Sequence, residues 1–196
     1  MTRDVTTVTI AQLKEVKSLE WLLFVYRMPP EPSRDRVRLW RELKRLGALH
    51  RQQSLCMLPK EPHLDQALRA LSEKVQSWGG QAEVFATTML DSAQEVRLIE
   101  DFRALRNKDY QEILEQCEAF FQEIEYEVGR QNFTSAEVEE IEEDLERLKR
   151  WFQRVKERDW FNASSRAQVE AKLTTCEAAL EEFTAQVLEV EDQSTR

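Results

Sequence analysis

The chain has 196 residues, of which 41% are hydrophobic and 33% are charged, and its net charge is −9. This is the composition of a soluble globular protein with one ordinary domain or two small ones. No stretch approaches the roughly 18 consecutive apolar residues of a membrane span, and residues 1–19 are polar, without the apolar centre of a secretory signal. A bacterial cytoplasmic location is therefore the default expectation.

The charges are divided unevenly along the chain. Residues 1–90 contain 14 Lys or Arg and 10 Asp or Glu, whereas residues 91–196 contain 14 and 27. We therefore expect an anionic partner to meet the first half of the chain and to be repelled by the second half.

The cysteines and histidines predict neither a disulfide nor a metal centre. The three cysteines are widely spaced among apolar neighbours and are expected to be small core residues. A redox-sensing thiol is the alternative, and near Cys56 only Arg51 would favour it by lowering the thiol pKa. His50 and His63 lack the neighbouring ligands of a metal site, and no Gly-rich phosphate loop occurs. The sequence thus predicts a protein that is not an enzyme and that uses no cofactor.

Strands and helices alternate in the first half. The aromatic and β-branched segment Trp21–Met28 predicts a buried strand that ends at the following prolines. Ser33 is expected to cap a helix that stops at Gly47 in a left-handed turn. Residues 48–59 predict one bent strand or two short ones.

A second helix is predicted from about His63 to Trp78, before Gly79 and Gly80, and Glu83–Met89 is the last predicted strand. This order predicts a ferredoxin-like α/β sandwich over residues 20–90, with both helices on one face of the sheet and a polar segment, residues 1–19, before it.

The first predicted helix carries the strongest functional signal. Four arginines recur at i, i+4, i+7 and i+11 and so share one narrow face. Arginines in the first turn oppose the helix macrodipole at a cost of about 0.3–1 kcal/mol each, which a bound anion would offset. The predicted anion- or DNA-binding residues are Arg34, Arg36, Arg38, Arg41, Lys44, Arg45 and Arg51.

Two interpretations of this basic face stay open. It binds an anion, which is either a DNA phosphate or a free oxyanion, through guanidinium groups and free helix N–H groups. Alternatively, it is a solvated face that pairs with acidic residues of the second half. The residues expected to pack inward from the same helix are Val37, Trp40, Leu43 and Leu46.

The second half predicts three helices and no strand. Each helix opens with a Ser or Thr followed three residues later by Glu or Gln, at Ser92–Glu95, Thr134–Glu137 and Ser165–Gln168. Apolar residues then recur at alternating spacings of three and four, which predicts an antiparallel three-helix coiled-coil bundle over residues 91–192. One exposed helix face could instead complete a dimer. The seam residues are Tyr110, Ile113, Cys117, Phe120 and Ile124; Val138, Ile141, Leu145, Leu148, Phe152 and Val155; and Val169, Leu173, Cys176, Leu180, Phe183, Val187 and Val190.

Several motifs together resemble the N-terminal region of the bacterial chromate-resistance family ChrB. The resemblance covers roughly residues 20–190, and the combination is more specific than any single motif. The segments that carry it are Trp21–Pro29, Pro32–Ala48, Gln52–Pro59, Asn132–Phe133, Leu148–Phe152 and Arg158–Phe161.

This resemblance implies a chromate-responsive regulator of chromate-efflux genes, with basic residues that sense the oxyanion or contact DNA. Chromate is a tetrahedral dianion like sulfate, so arginines at a helix N-terminus are a chemically suitable receptor. Longer members of the family carry a further C-terminal domain that has no counterpart in this sequence.

The first half is also similar, more distantly, to the ferredoxin-like module of phenylacetate-catabolism repressors and of small CRISPR-associated nucleases. Those nucleases hold a metal with an aspartate at the end of the first strand, where this chain has Tyr26–Pro29 and no acid, so nuclease activity is not implied. The module commonly forms dimers, which favours a homodimer here. No helix-turn-helix with a clear recognition helix is visible.

The preferred interpretation is therefore a non-enzymatic, dimeric regulatory or sensor module of the ChrB type. The alternative is a protein-interaction scaffold that docks a partner through its acidic helices. An enzyme that reduces chromate is the third interpretation, which the lack of a cofactor motif or clustered thiols disfavours.

Overall fold

A computed structural model of the chain describes residues 19–194, so the predicted polar segment lies, apart from Leu19, outside the described residues. The chain is an α+β protein, as predicted, and residues 48–59 form two short strands. Its elements in order are β1 (Glu20–Arg27), α1 (Ser33–Arg45), β2 (Leu49–Gln52), β3 (Leu55–Pro59), α2 (Pro62–Ser77), β4 (Gln81–Thr88), α3 (Ser92–Gly129), α4 (Ser135–Lys156) and α5 (Arg166–Ser194).

The four strands form one antiparallel sheet in the order β2-β3-β1-β4. Because β1 is an inner strand, its aromatic residues Trp21 and Phe24 are completely buried, and Phe24 lies opposite Cys56 on β3 and Val84 on β4. Helix α2 packs against β1 and β4. Its buried residues recur with helical spacing, at Leu64, Leu68, Leu71 and Val75.

The ends of α1 follow the prediction only in part. Gly47 has a φ of +74°, and this left-handed conformation ends the helix as predicted. Ser33 was expected to precede the helix, but it is the first helical residue, and its backbone N–H donates a hydrogen bond to the Glu31 carboxylate at 3.2 Å. An acidic side chain thus serves the N-terminus of α1, where it complements the helix dipole.

The predicted inward face of α1 is wrong at two positions. Val37 and Trp40 are 43% and 50% exposed, whereas Asp35, Leu39 and Leu43 are buried at i, i+4 and i+8. The buried face is therefore centred on a carboxylate and two leucines. Hydrophobic periodicity does not place an Asp on the inward face of a helix. The predicted inward face of α1 is therefore rotated relative to the observed one.

The capping box predicted for α3 is replaced by another cap. The backbone N–H of Ala93 donates to the Asp91 carboxylate at 2.9 Å, so Asp91 caps the helix in place of Ser92. Glu95 is used elsewhere, because its carboxylate accepts hydrogen bonds from the Leu19 backbone N–H at 3.0 Å and from the Trp21 indole N–H at 3.1 Å. Glu95 therefore ties the start of α3 to β1.

Replacing Asp91 and Ser92 by alanine, one at a time, tests which of them caps α3. Asp91→Ala is expected to lower the free energy of unfolding by about 1 kcal/mol, because it leaves the first turn of α3 without its acceptor. Ser92→Ala is expected to change it by only a few tenths of a kcal/mol. Urea denaturation of both variants measures the difference, and a larger loss in Ser92→Ala would restore the capping box.

Helices α3, α4 and α5 bury one common apolar core. Helices α4 and α5 run antiparallel, since Ser135 meets Glu191 and Lys156 meets Glu170. The predicted seams are buried or partly buried except at Val190, which is 39% exposed where α5 nears its end. The core residues are Tyr110, Ile113, Leu114, Cys117, Phe120, Ile141, Leu145, Leu148, Phe152, Val155, Ala163, Val169, Leu173, Cys176, Phe183 and Val187.

The cap predicted for α4 is confirmed, because the Glu137 backbone N–H donates to the Thr134 hydroxyl at 3.4 Å. Helix α5 begins at Arg166, directly after the predicted capping residue Ser165. Among residues 19–194, none of the helices combines the length and apolarity that a bilayer span requires.

The described chain forms two compact units. The first contains the residues up to Arg41 and His50–Val96, and the second contains Glu42–Leu49 and the residues from Arg97 onward. The last turn of α1 thus belongs with the long helices. The domain limits of 20–90 and 91–192 stay predictions.

Candidate anion-binding surface

The basic residues predicted to bind an anion are exposed, and most of them lie on α1. Arg34, Arg38 and Arg41 share one face of the first unit's part of the helix, and we call them the α1 arginine stripe. Arg36 projects from another side of α1. Lys44 and Arg45 lie in the last turn, which belongs to the second unit, and Arg51 lies on β2.

The buried Asp35 carboxylate partly compensates the stripe. It lies 3.2 Å from the Arg38 guanidinium and 3.7 Å from that of Arg34. The two arginine side chains remain 58% and 73% exposed, and ion pairs of such exposed groups contribute at most about 1 kcal/mol. Both arginines therefore keep donors that face solvent while Asp35 restrains their positions.

The other arginines of α1 differ in their internal pairing. Arg45 contacts Glu42 at 2.6 Å and is 74% exposed. Within the described part of the chain, Arg36 and Arg41 take part in no ion pair, and both are exposed. Arg41 is therefore the stripe residue whose charge is least compensated by residues 19–194. It is the position at which an external phosphate or oxyanion would gain most.

A buried charge cluster in the second unit was missed by the sequence analysis. Its members are Arg106, Asp109, Arg158, Asp159 and Tyr110. The Arg106 side chain is 4% exposed and contacts Asp109 at 3.0 Å, while Arg158 reaches the same carboxylate at 3.4 Å. Burial lowers the pKa of Arg106, and the neighbouring Asp109 opposes that shift. The two arginines and the two aspartates of the cluster carry equal and opposite formal charges.

This cluster holds the turn between α4 and α5. The Asp159 carboxylate accepts a hydrogen bond from the Tyr110 hydroxyl at 3.1 Å and caps the Ala163 backbone N–H at 3.0 Å. Burial and the nearby Asp159 charge raise the pKa of Tyr110. Arg158 donates to the Lys44 backbone carbonyl at 3.2 Å and so joins the end of α1 to the long helices of the same unit.

A sequence signal for the cluster did exist. Arg106 precedes Tyr110 by four residues and therefore occupies the next seam position of α3. A charged residue at a seam position indicates a buried ionic partner, and the aspartates of the cluster supply it. The described residues contain no group of three or more His, Cys, Asp or Glu that could hold a metal ion.

The described chain combines an antiparallel four-stranded sheet and a basic helix with three acidic helices that share a core. It is a two-unit protein whose basic and acidic residues are concentrated in different parts of the chain. A family model described as "Protein ChrB, N-terminal" matches residues 36–194, so the chain belongs to this family. The match includes every predicted basic residue except Arg34.

The chain is also similar to a curated relative, Protein ChrB of Cupriavidus metallidurans, with 27% identity over 154 residues. The similarity covers 76% of this chain and 44% of the relative, so the chain spans less than half the relative's length. No solved structure matches the chain.

Proposed function

We propose that this chain is a regulatory or sensor module related to chromate resistance, which binds DNA or an oxyanion through the basic residues of α1. It acts in the cytoplasm, catalyses no reaction and forms a homodimer through its first half. Membership of the ChrB N-terminal family supports the link to chromate resistance. The exposed α1 arginine stripe supports anion binding.

The proposed architecture is a ferredoxin-like sandwich followed by an antiparallel three-helix coiled-coil bundle. The β-α-β-β-α-β order and the strand order β2-β3-β1-β4 support the first part. The shared core of α3, α4 and α5 and the antiparallel α4–α5 pair support the second. In this architecture both α1 and α2 cover one face of the sheet.

The single observation that carries the proposal is the stripe itself. Arg34, Arg38 and Arg41 present guanidinium groups to solvent along one face of α1, and Arg34 lies in the first turn, where the helix dipole also favours an anion. Asp35 holds the first two in place from below. A planar guanidinium fork suits the oxygen pairs of both phosphate and chromate.

The alternative function, a protein-interaction scaffold, is favoured by the exposed acids of α4. Glu139, Glu140, Glu142 and Glu143 all face solvent in the half of the chain that carries 27 acids against 14 bases. Such a surface repels DNA and suits a basic protein partner. Salt dependence distinguishes the two functions, since DNA contacts weaken steeply between about 50 and 200 mM salt.

Removal of two stripe arginines tests the proposal directly. Arg38→Ala with Arg41→Ala is expected to weaken binding to the chain's own upstream DNA roughly tenfold to hundredfold, because two charge-assisted contacts are lost. The salt slope should fall by about one per lost phosphate contact. Fluorescence anisotropy at two salt concentrations, with and without chromate or sulfate, measures both effects.

A matched control removes the same charge elsewhere. Arg147→Ala with Arg154→Ala takes two bases from α4 and should leave binding unchanged. Because Arg38 pairs with the buried Asp35, Arg41→Ala alone serves as a second variant, and far-UV circular dichroism checks the fold of each. Unchanged DNA and oxyanion affinity in the stripe variants would remove the stripe from the function.

A further inference from the structure

Helix α1 leaves an apolar pair exposed in the first unit. Val37 and Trp40 are neighbours at i and i+3 on the helix surface, and they are 43% and 50% exposed. The buried face of the helix is occupied by other side chains, so this pair lies outside the core. Contact of an indole with water is unfavourable, and adjoining apolar side chains on a surface are typical of a binding site. The pair is therefore a candidate binding element.

Two arginines flank this pair. Arg36 is at i−4 from Trp40, and Arg41 is at i+4 from Val37, so each arginine is a surface neighbour of an apolar side chain. Both arginines are exposed, and neither forms an ion pair within residues 19–194. Their guanidinium groups are thus available to an external anion. We call Arg36, Val37, Trp40 and Arg41 the α1 indole patch.

The composition of this patch distinguishes between the anions that α1 could bind. A free oxyanion such as chromate or sulfate offers oxygen atoms to the arginines but no flat surface to the indole. An acidic polypeptide likewise offers carboxylates. A nucleic acid supplies both a phosphate for each nucleotide and a planar base that stacks on an aromatic ring. In a duplex the bases are already stacked on one another, so only an unpaired strand offers its base faces without an unstacking cost.

We propose that the α1 indole patch binds single-stranded nucleic acid, with one base stacked on Trp40 and the adjoining phosphates held by Arg36 and Arg41. This role rests on the proposed anion binding by α1, and it names the ligand class of that surface. The two arginines are five positions apart, about 7.5 Å along the helix axis, and can therefore flank one nucleotide. Arg41 also belongs to the α1 arginine stripe, so a bound strand could continue along the stripe.

Three probes of equal length test the proposal by fluorescence anisotropy with the full chain. They are an oligothymidine, its duplex with oligodeoxyadenosine, and a strand of abasic sugar-phosphate. We expect the oligothymidine to bind more tightly than the other two, because it alone offers unpaired bases. Trp40→Leu should weaken oligothymidine binding roughly tenfold to hundredfold, the effect of losing one stacked base, and should leave binding of the abasic strand unchanged.

Two further variants separate the contribution of charge from that of stacking. Arg41→Ala should lower the slope of log affinity against log salt by about 0.7, the value for one lost phosphate contact on a single strand, and should keep the preference for the oligothymidine over the abasic strand. Trp40→Leu should leave the slope unchanged. Trp40→Phe keeps an aromatic ring, so it should retain most of the affinity, while the bound strand quenches less of the tryptophan fluorescence.

Tyr126 provides a matched control for the loss of an exposed aromatic side chain. It is 56% exposed, and the Arg130 guanidinium carbon lies 5.1 Å from the centre of its ring. This aromatic–arginine pair resembles the patch, but it lies in the acidic second half of the chain, which repels a phosphate backbone. Tyr126→Leu should therefore leave oligothymidine binding unchanged.

The outcomes that would overturn the proposal differ from those that would overturn the proposed function. Equal affinity for the three probes would contradict it, and so would unchanged oligothymidine binding in a Trp40→Leu variant with the far-UV circular dichroism of the wild type. If polyglutamate competes as well as oligothymidine, the patch suits an acidic protein and the proposal fails. Duplex binding through the stripe without a preference for unpaired bases would keep the proposed function and exclude this ligand.

Discussion

Replacement of Asp159 by Ala is expected to lower the free energy of unfolding by about 3–5 kcal/mol. Asp159 is 8% exposed, and its carboxylate accepts hydrogen bonds from the Tyr110 hydroxyl and the Ala163 backbone N–H. Its removal leaves both donors unpaired and takes away one of the two charges that balance Arg106 and Arg158. A buried charge without its partner is the costliest of these changes. Thermal and urea denaturation measure the loss.

An exposed aspartate provides the control for this experiment. Asp144 forms an i,i+3 ion pair with Arg147, and its side chain is 44% exposed. Asp144→Ala should therefore cost no more than about 0.5 kcal/mol. If the two aspartate variants lose equal stability, the buried cluster is not a determinant of the fold.

Tyr110→Phe tests the same cluster from the other side. The variant removes the hydroxyl that donates to Asp159 and should cost about 1 kcal/mol, since the carboxylate keeps its backbone donor. The double variant with Asp159→Ala should lose less stability than the sum of the two single-variant losses, because both substitutions remove the same hydrogen bond. Strict additivity would contradict that contact.

The sequence predicted the helical seams well because their periodicity repeats many times. Tyr110, Ile113 and Cys117 follow the alternation of three and four, and all are fully buried. When a repeat extends over several turns, a residue that breaks it can be recognised. Near the end of α5 the repeat runs out, and Val190 is 39% exposed there.

The inward face of α1 could not be read in the same way. The helix is short, so its periodicity rests on few residues, and Val37 and Trp40 outweigh a single Asp in any apolar pattern. Yet Asp35 is buried and forms ion pairs with Arg34 and Arg38 of the same helix, and an apolar pattern does not encode such a position.

The candidate site could also be predicted only in part from the sequence. Exposure of the predicted arginines follows from their charge, and the sequence predicted it directly. The sequence did not predict which arginine charges are compensated by nearby acids. Arg38 is partly neutralised by Asp35, whereas Arg41 has no ion pair among the described residues. Sequence spacing treats both arginines alike, and only the contacts of each side chain distinguish them. Whether the surface binds DNA or an oxyanion stays a prediction.

Gly47→Ala is expected to lower the free energy of unfolding by about 2–4 kcal/mol. Gly47 has a φ of +74°, which costs a non-glycine residue about 1–2 kcal/mol. An added Cβ would also lie 2.8 Å from the Arg158 Cβ and 3.2 Å from the Trp160 indole nitrogen. The Arg158 Cβ cannot move away without its backbone, which carries the cluster on the α4–α5 turn.

Gly79 is a matched control for this substitution. Its φ of +77° imposes the same conformational cost, but an added Cβ meets only the Pro29 ring at 3.8 Å, an ordinary contact. Gly79→Ala should therefore cost about 1–2 kcal/mol, and the excess loss in Gly47→Ala measures the close approach of residues 42–49 to Arg158. Alanine at position 158 keeps the Cβ that the added Cβ would meet, so Arg158→Ala should leave the overlap in place, whereas Arg158→Gly should reduce the excess. Equal losses at the two glycines would show that conformation alone requires Gly47.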